Sequence, residues 1–303
     1  MGNVKQSYLI SGTVFVLVGA ILYSSKAVMV KIAYQYDVDS TSLLTLRMLF
    51  SLPFYIVILL WRVNGPDKHN PLVKKEWLLT IFLGIAGYHL ASYSDFVGLQ
   101  YVSAGLERLI LFTYPTMVVL IMAIFYKQKI NGIIWVALIM TYIGIGIAFL
   151  DRVAIQESDN LLKGAFYVFL AAFFYAFYVV GCGQLVKKIG TLRFTSIGMI
   201  AAACGIILQH GITHQWDLWQ FQSHVYLISL IIALVATVIP SFLVMEGIKR
   251  IGATNAAIAG SVGPVSTIVL AFIFLEEQFG LMQLLGTLIV ILGVIIISKN
   301  KEK

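Results

Sequence analysis

The sequence has little charge. Of its 303 residues, 12% are charged and 60% are hydrophobic, which gives a mean hydropathy of +0.92. A soluble domain carries about 25% charged residues. Stretches of roughly 20 apolar residues, the length that crosses a bilayer, recur along the whole chain. No stretch is long and polar enough to form a soluble domain, so the composition predicts an all-α, polytopic membrane protein.

Cysteines and enzyme motifs are also scarce. Cys182 and Cys204 both lie inside apolar runs, so they predict neither a disulfide framework nor a metal site. The sequence has no phosphate-binding glycine loop, no nucleophile elbow and no HExxH motif. His210 and His214 have helical metal-ligand spacing, but too few further ligands accompany them. The sequence therefore predicts no enzyme, no catalytic residue, no bound metal and no cofactor.

What the sequence does contain is ten apolar runs, which predict ten transmembrane helices with short connections. The first run is too long for a signal peptide and lacks a cleavage site. The predicted spans are Leu9–Lys31, Thr41–Trp61, Trp77–Val97, Ala104–Tyr126, Gly132–Leu150, Gly164–Val186, Phe194–Ile212, Tyr226–Gly247, Ala253–Leu275 and Leu281–Ser298.

Basic residues alternate between the predicted loops. With the N-terminus in the cytoplasm, fifteen of the 21 Lys and Arg residues fall on the cytoplasmic side. Cytoplasmic loops are enriched in Lys and Arg. The pattern predicts a multi-pass protein of a bacterial-type inner (plasma) membrane with both termini cytoplasmic. It also accounts for the net charge of +7 without a nucleic-acid partner.

One stretch of the chain occurs twice. Gly98–Ile147, moved forward by 149 positions, falls on Gly247–Ile296 without a gap and matches at glycine, proline and corner residues. In each copy a proline, Pro115 or Pro264, predicts a helix that is interrupted near its middle. Each half has five predicted spans, an odd number, so the second half is inverted in the membrane.

The halves predicted in this way are residues 1–150 and 151–303, each a five-helix repeat. The corner at Ile248–Ile251 carries two basic residues and its first-half counterpart carries none, as opposite sides of a membrane require. Inverted repeats are an architecture of secondary transporters, which rock one half against the other around a site near the midplane.

The same positions carry a family resemblance. The first half has GLQYVSA at 98–104 and then Tyr114-Pro115, and the second half has GATNA at 252–256, then Gly263-Pro264 and FLEEQ at 274–278. This pattern resembles the EamA-type transporters of the drug/metabolite transporter superfamily over nearly the whole chain.

The resemblance implies a ten-span fold with a cavity lined by spans 1, 3, 4, 6, 8 and 9. It also implies export of amino acids and other metabolites, or exchange of nucleotide sugars and phosphorylated sugars. One departure is the acidic residue that commonly follows the fourth span, which is replaced here by Lys127-Gln128-Lys129.

Ionisable side chains inside the spans are candidates for function, because charges are costly in the membrane. Those of the first half fall on the outer side. A structural interpretation pairs Asp95 with Arg108, and lets Lys26 reach the interface. A functional interpretation has Arg108 bind a substrate carboxylate and Glu107 exchange protons, coupling proton entry to export. The predicted substrate-binding residues are Tyr23, Lys26, His89, Tyr93, Glu107, Arg108, Tyr114, Tyr175, Tyr178 and Asn255.

The sequence thus predicts a secondary transporter that exports a small polar or amphipathic metabolite, such as an amino acid, by alternating access. Two alternatives remain open: an exchanger of phosphorylated or nucleotide-linked metabolites, and a non-transporting membrane scaffold or partner subunit. The predicted partners are a small-molecule substrate and the lipid bilayer, with protons as a candidate coupling ion. The chain is expected to be a monomer or a homodimer.

Overall fold

The computed structural model describes residues 2–65, 72–127, 132–155, 160–260 and 262–300. Throughout these ranges the regular structure is helical. Two π-helical segments, Ile85–Leu90 and Leu234–Val238, each join two α-helices into one rod. The α-helices are α1 (Gly2–Tyr34), α2 (Ser40–Asn64), α3 (Lys74–Gly84), α4 (Ala91–Leu99), α5 (Ala104–Leu111), α6 (Tyr114–Tyr126), α7 (Gly132–Ile155), α8 (Leu161–Ile189), α9 (Thr191–His214), α10 (Ser223–Ala233), α11 (Ile239–Gly260), α12 (Val262–Leu275) and α13 (Leu281–Asn300).

Long apolar stretches dominate these helices. In the ranges that the structure describes, α12 and α13 contribute the apolar stretches Val262–Leu275 and Leu281–Ile296. Within the described residues, seven stretches are long and apolar enough to cross a membrane: Ile10–Tyr34, Ser40–Asn64, Ala104–Phe125, Gly132–Leu150, Leu161–Cys182, Thr191–His214 and Ser223–Ile251. The chain is therefore a polytopic, all-helical membrane protein.

The first proline of the repeat marks a helix start. Pro115 lies in the first turn of α6, where the missing N–H has no helical partner in any case. Pro264 lies in α12, shortly after residue 261, which the structure does not describe. Ahead of Pro115, α5 ends at Leu111 and the α-helical backbone is interrupted at Phe112 and Thr113. The predicted interruption of the fourth span is thus present.

The corner expected at Ile248–Ile251 differs from the prediction, because the backbone there is helical as part of α11. The chain still reverses its direction soon afterwards. Arg250 packs against Gly12 near the start of α1, whereas Gly263 accepts a hydrogen bond of 3.0 Å from Ser24, further along α1. Arg250 and Gly263 therefore contact α1 at two different levels, and the described backbone at Ile248–Ile251 does not form the four-residue loop that the corner residues suggested.

Two pairs of helices cross at glycines with the same geometry. Where α4 crosses α8, a Cβ atom on Gly98 would lie 3.0 Å from the carbonyl oxygen of Gly164. Where α11 crosses α1, a Cβ atom on Gly247 would lie 3.0 Å from the carbonyl oxygen of Gly12. The absence of a side chain lets these backbones approach closely, as is common between membrane helices. Around them, α2 packs against α9, and α7 packs against α13.

Candidate functional site

A cavity of about 220 Å³ lies at the centre of the helices. Polar side chains line one part of it: Tyr23, Lys26, Arg47, Tyr88, Ser92, Asp95, Arg108, Tyr114, Tyr175 and Thr237. Apolar side chains line much of the rest: Val16, Ala20, Leu111, Phe112, Val118, Val179, Met199, Val244 and Ile248. A pocket of this kind suits a ligand with a charged group and an apolar body.

Lys26 joins two carboxylates at the polar part. Its Nζ atom donates a hydrogen bond to Oδ2 of Asp95 and lies 3.8 Å from Oε1 of Glu107. Asp95 is 2% exposed and Glu107 is fully buried. An unpaired charge in the membrane costs a few kcal/mol, so this arrangement explains how three charged residues from α1, α4 and α5 are tolerated there.

Several oxygens of this triad nevertheless lack donors. Oδ1 of Asp95 and both carboxyl oxygens of Glu107 are buried without a hydrogen-bond partner in the part of the chain that the structure describes. Glu107 lies just behind the cavity wall, which Lys26 and Asp95 line directly. The triad is thus connected to the cavity although one of its members is not exposed to it.

Two arginines face the cavity without an acidic partner among the described residues. Nη2 of Arg47 donates a hydrogen bond of 3.1 Å to Oγ of Ser92, and its guanidinium lies 5.0 Å from the ring centroid of Phe96. The guanidinium of Arg108 lies over Gly263, where a Cβ atom would be 2.8 Å from Nη2. Of the two interpretations of Arg108 left open by the sequence, the structural one that pairs it with Asp95 is not seen, because Lys26 binds that carboxylate.

The predicted tyrosines form a connected aromatic wall. The rings of Tyr114 and Tyr175 have centroids 4.9 Å apart, and those of Tyr175 and Tyr178 are 5.9 Å apart. Tyr178 is buried behind the wall, where its hydroxyl lies 3.1 Å from the hydroxyl of Tyr88. Tyr23, Tyr114 and Tyr175 line the cavity itself. The structure therefore brings these four predicted tyrosines together, with one in a supporting position.

Two other predicted residues lie elsewhere, and the side chain of a third is not described. His89 faces α9, where its Nε2 atom lies 2.7 Å from Oε1 of Gln209. Tyr93 packs into the hydrophobic core. The side chain of Asn255 lies outside the described residues. Arg47, Ser92 and Asp95 also line the cavity but are not among the predicted substrate-binding residues, although ionisable side chains inside spans were a signal for two of them.

Both π-helical segments contribute to the cavity wall. The first supplies Gly87 and Tyr88, and the second supplies Ala236 and Thr237. Oγ1 of Thr237 donates a hydrogen bond of 2.9 Å to the carbonyl oxygen of Ile232, five residues earlier. π-Helical turns are rare and are often found at functional sites. Sequence periodicity gave no signal for either segment.

A carboxylate from the segment after α12 binds the start of α5, at the end of the helices that the charge pattern predicts to be external. The backbone N–H of Ala104 donates a hydrogen bond of 2.8 Å to Oε1 of Glu277, and that of Gly105 donates one of 3.3 Å to Oε2. A carboxylate at a helix N-terminus meets unsatisfied N–H groups and the positive end of the helix dipole. Glu277 therefore ties the segment after α12 to the start of α5.

Ion pairs connect helices at the opposite end. Lys188 on α8 lies 2.5 Å from Oε1 of Glu76, and the backbone N–H of Val73 donates to Oε2 at 3.0 Å. These contacts, the Lys188 contact first, hold the pKa of Glu76 below its ordinary value. Acid below the ordinary carboxyl pKa of about 4.3 is therefore expected to weaken the α3–α8 contact. A separate ion pair lies within α11, where Glu246 pairs with Arg250 at 2.9 Å.

The two histidines with metal-ligand spacing stack on each other. Their ring centroids are 4.9 Å apart, and His210 lies 3.0 Å from Oγ of Ser42 while His214 lies 3.5 Å from Oδ1 of Asp39. In the described ranges, no group of three or more His, Cys, Asp or Glu side chains is arranged to hold a metal ion.

Comparisons with known proteins agree on one family. The family of EamA-like transporters matches residues 10–150 and 162–299. A Bacillus subtilis (strain 168) protein named as the uncharacterized transporter YcbK is 33% identical over 281 residues, which cover 91% of this chain and 89% of that one. The uncharacterized inner membrane transporter YicL of Salmonella typhimurium is 24% identical, covering 96% of each chain.

A solved crystal structure supports the fold. It has a TM-score of 0.66 and 16% sequence identity, and covers 94% of this chain and 95% of the other. The names of the relatives favour transport over catalysis. The match over most of both halves shows that the chain belongs to the EamA-like transporter family.

Proposed function

We propose that the chain is a secondary transporter that exports a small polar or amphipathic metabolite by alternating access. The observation that carries this proposal is the central cavity, where Lys26, Arg47 and Arg108 meet Tyr114 and Tyr175 among apolar helices. Charged groups are retained inside a membrane mainly where they serve substrates or ions. A scaffold or partner subunit has no need of such a cavity.

An arrangement of ten spans in two inverted five-helix repeats is part of the proposal. It is supported by structural features that recur 149 residues apart, the same distance that separates the two copies of the repeated stretch. The π-helical segments begin at Ile85 and Leu234, which differ by that offset. The crossing glycines Gly98 and Gly247 also differ by it, and each lies against a glycine carbonyl at the same distance. Such repeats suit rocking around a central site.

The cavity favours a small substrate with an acidic group. Its volume of about 220 Å³ is below the roughly 300–1,000 Å³ of pockets that hold drug-sized ligands. Arg108 has no acidic partner among the described side chains, so it is available for a carboxylate. Guanidinium groups bind carboxylates through paired hydrogen bonds. An amino acid or a similar metabolite meets both conditions.

The direction of transport is proposed from the closed side. Glu277 holds the start of α5 on the side that the charge pattern assigns to the exterior. Val16 on α1 and Ile248 on α11 extend the cavity toward the side assigned to the cytoplasm. A substrate that enters from the cytoplasm would then be released outside when the contact at Glu277 opens.

A second candidate is exchange of small phosphorylated metabolites. The observation that favours it is the presence of two arginines, Arg47 and Arg108, without carboxylate partners among the described residues. Guanidinium groups also bind phosphate well. The cavity volume argues against nucleotide-linked metabolites, which are larger than the space of about 220 Å³.

Liposomes that contain the purified chain test both candidates. Vesicles are loaded with labelled phenylalanine, leucine, glutamate or glucose 6-phosphate, and release of each label is followed with and without external unlabelled solute. We expect release of an amino acid that is lost in Arg108→Gln and retained in the interfacial control Arg62→Gln. Release of glucose 6-phosphate only in exchange would favour the second candidate. Release of none of these solutes would contradict both.

A further inference from the structure

The charges around the cavity do not balance. Lys26, Arg47 and Arg108 carry three positive charges, and Asp95 and Glu107 carry two negative charges when both are ionised. The sum, three minus two, is +1. Because Lys26 already contacts both carboxyl groups, the two guanidiniums are left to face whatever enters the cavity. The site therefore attracts anions even before any proton is added.

A single proton fits between Asp95 and Glu107. Nζ of Lys26 contacts Asp95 and lies 3.8 Å from Oε1 of Glu107, so the two carboxyl groups flank one ammonium group. Oδ1 of Asp95 and both oxygens of Glu107 are buried without hydrogen-bond donors within the described ranges. Buried acceptors without donors are unfavourable, and two carboxylates that share a site retain one proton between them. A proton here supplies the missing donor. It also raises the charge around the cavity from +1 to +2.

The groups that act on Glu107 are few. Lys26 comes from α1, Asp95 from α4 and Arg108 from α5 itself. The packed helix α12 has no titratable side chain in its range, and α7 approaches α5 through apolar residues such as Ile145. The helix α8 presents Tyr175 to the cavity. The charge of a proton on the Asp95–Glu107 pair therefore acts mainly on Lys26 and Arg108, which line the cavity.

We propose that the cavity binds an organic anion and a proton together. The acidic group of the anion lies between Arg47 and Arg108, its apolar body lies against Val118, Val179 and the other apolar wall residues, and the proton lies on the Asp95–Glu107 pair. This inference deepens the proposed function and rests on it. No bond is made or broken except that of the transferred proton.

The sign of the coupling follows from the charges. A bound proton adds positive charge and strengthens binding of the anion, and a bound anion strengthens binding of the proton by the same factor. Exchange of a proton for substrate, the functional interpretation of Glu107 in the sequence, requires instead that the two compete. The anion and the proton therefore cross in the same direction, and export runs on the gradient of the anion.

Binding of two simple anions to the full chain in detergent tests the inference. The probes are 3-phenylpropane-1-sulfonate, which stays anionic at every pH used, and 3-phenylpropanoate, with 3-phenylpropylamine as the cation of similar shape. Calorimetry at pH 6 and pH 8 gives the affinities. We expect the anions to bind more tightly at pH 6, by up to about tenfold for each pH unit, the limit for one linked proton. Their binding should also take up protons from a weakly buffered solution.

Variants separate the carboxyl pair from other titrating groups. Glu107→Gln resembles the protonated state, so at pH 8 it should bind the sulfonate as tightly as the wild type does at pH 6, without proton uptake. The exposed residue Glu276 provides a matched control, because Glu276→Gln should keep the wild-type pH dependence.

Three outcomes would overturn the inference: tighter anion binding at pH 8, a wild-type pH dependence in Glu107→Gln, or no binding of either anion. If a solute is nonetheless transported in liposomes, the proposed function stands without this coupling. If the anions bind with the expected pH dependence but no solute is transported, the proposed function fails and the binding site remains.

Discussion

Arg47 and Arg108 are buried cations whose charge is only partly compensated by the protein. Arg47 donates a hydrogen bond to Ser92 and lies over the ring of Phe96, and the backbone around Gly263 lies beneath Arg108. Ordinary membrane proteins pair such residues or bring them to water. A bound anion would complete their hydrogen bonding, so the affinity of the cavity for an anion should depend on both.

Replacing either arginine should therefore weaken binding. A hydrogen bond to a charged group contributes about 1.5–3 kcal/mol, which corresponds to roughly a ten- to hundredfold loss of affinity. We expect this loss for the 3-phenylpropane-1-sulfonate probe in both Arg47→Gln and Arg108→Gln, measured by calorimetry. Arg62→Gln is the control, because Arg62 lies over Trp61 and does not line the cavity. Equal affinities in all three variants would contradict a role for the two arginines.

The sequence could predict which charges gather but not every side chain that faces the cavity. The charges of the loops predicted the orientation of the spans and hence how deep Lys26 and Arg108 lie in them, and both residues line the cavity. In a membrane helix that is apolar on all sides, however, periodicity carries little information about which face is inside. His89 and Tyr93 were assigned to the cavity for that reason, whereas their neighbours Tyr88 and Ser92 occupy it.

Glycines at helix crossings determine how closely two helices approach each other. On α7, a Cβ atom on Gly144 would lie 2.6 Å from the carbonyl oxygen of Gly286 on α13, whereas one on Gly146 would meet nothing within 4 Å. The two glycines lie two residues apart on the same helix. They form a natural pair for measuring what the crossing contributes.

Alanine should have opposite effects at these two positions. Gly144→Ala forces two backbones apart, and overpacking of this kind costs about 1–3 kcal/mol. Gly146→Ala should leave stability unchanged or raise it, because alanine favours the helix by about 1 kcal/mol over glycine. Thermal unfolding of the purified variants in detergent checks both. A lower melting temperature for Gly146→Ala than for Gly144→Ala would refute the packing assigned to α7 and α13.

The contact between Glu277 and α5 should control access from outside. Glu277→Gln keeps the shape but removes the charge that two N–H groups of α5 bind. We expect the outer side to open more often. The measurement is labelling of Ser92→Cys in the cavity by a membrane-impermeant thiol reagent, several-fold faster in the Glu277→Gln background than with native Glu277.

Glu276→Gln is the control for this experiment, since its side chain is exposed one residue away. An unchanged labelling rate in Glu277→Gln, or an equal increase in Glu276→Gln, would show that the contact does not close the outer side.

Most element boundaries followed from local signals in the sequence, and the exceptions have physical causes. The apolar runs and the proline at position 115 predicted α1 through α6 closely, apart from the π-helical segment in the third span. A π-helical turn adds one residue to a turn without a characteristic side chain, so composition cannot reveal it. The helical backbone at Ile248–Ile251 was missed because the repeat placed these residues, two of them basic, at a corner between spans.

At the scale of the whole molecule, orientation in the membrane is the property that most needs a test. Fifteen of the 21 basic residues lie on the side assigned to the cytoplasm. Reporter fusions after Lys129 and Lys303 should give cytoplasmic signals, and a fusion after Glu157 should give an external signal. A cytoplasmic signal at Glu157 would rule out the ten-span arrangement, because an odd number of spans must separate it from Lys129.

The positions of the two π-helical segments have a consequence for the evolutionary history of the chain. An extra residue in a helix arises as an insertion, and the insertions at Ile85 and Leu234 stand at the same place in both halves. Under the proposed repeat, the simplest history has one insertion in a five-helix ancestor that was later duplicated. The charges do not share this symmetry, since the positions 149 residues beyond Glu107 and Arg108 are occupied by alanines at 256 and 257. Descendants of that duplication should keep both π-helical turns even where their charged residues have moved to other helices.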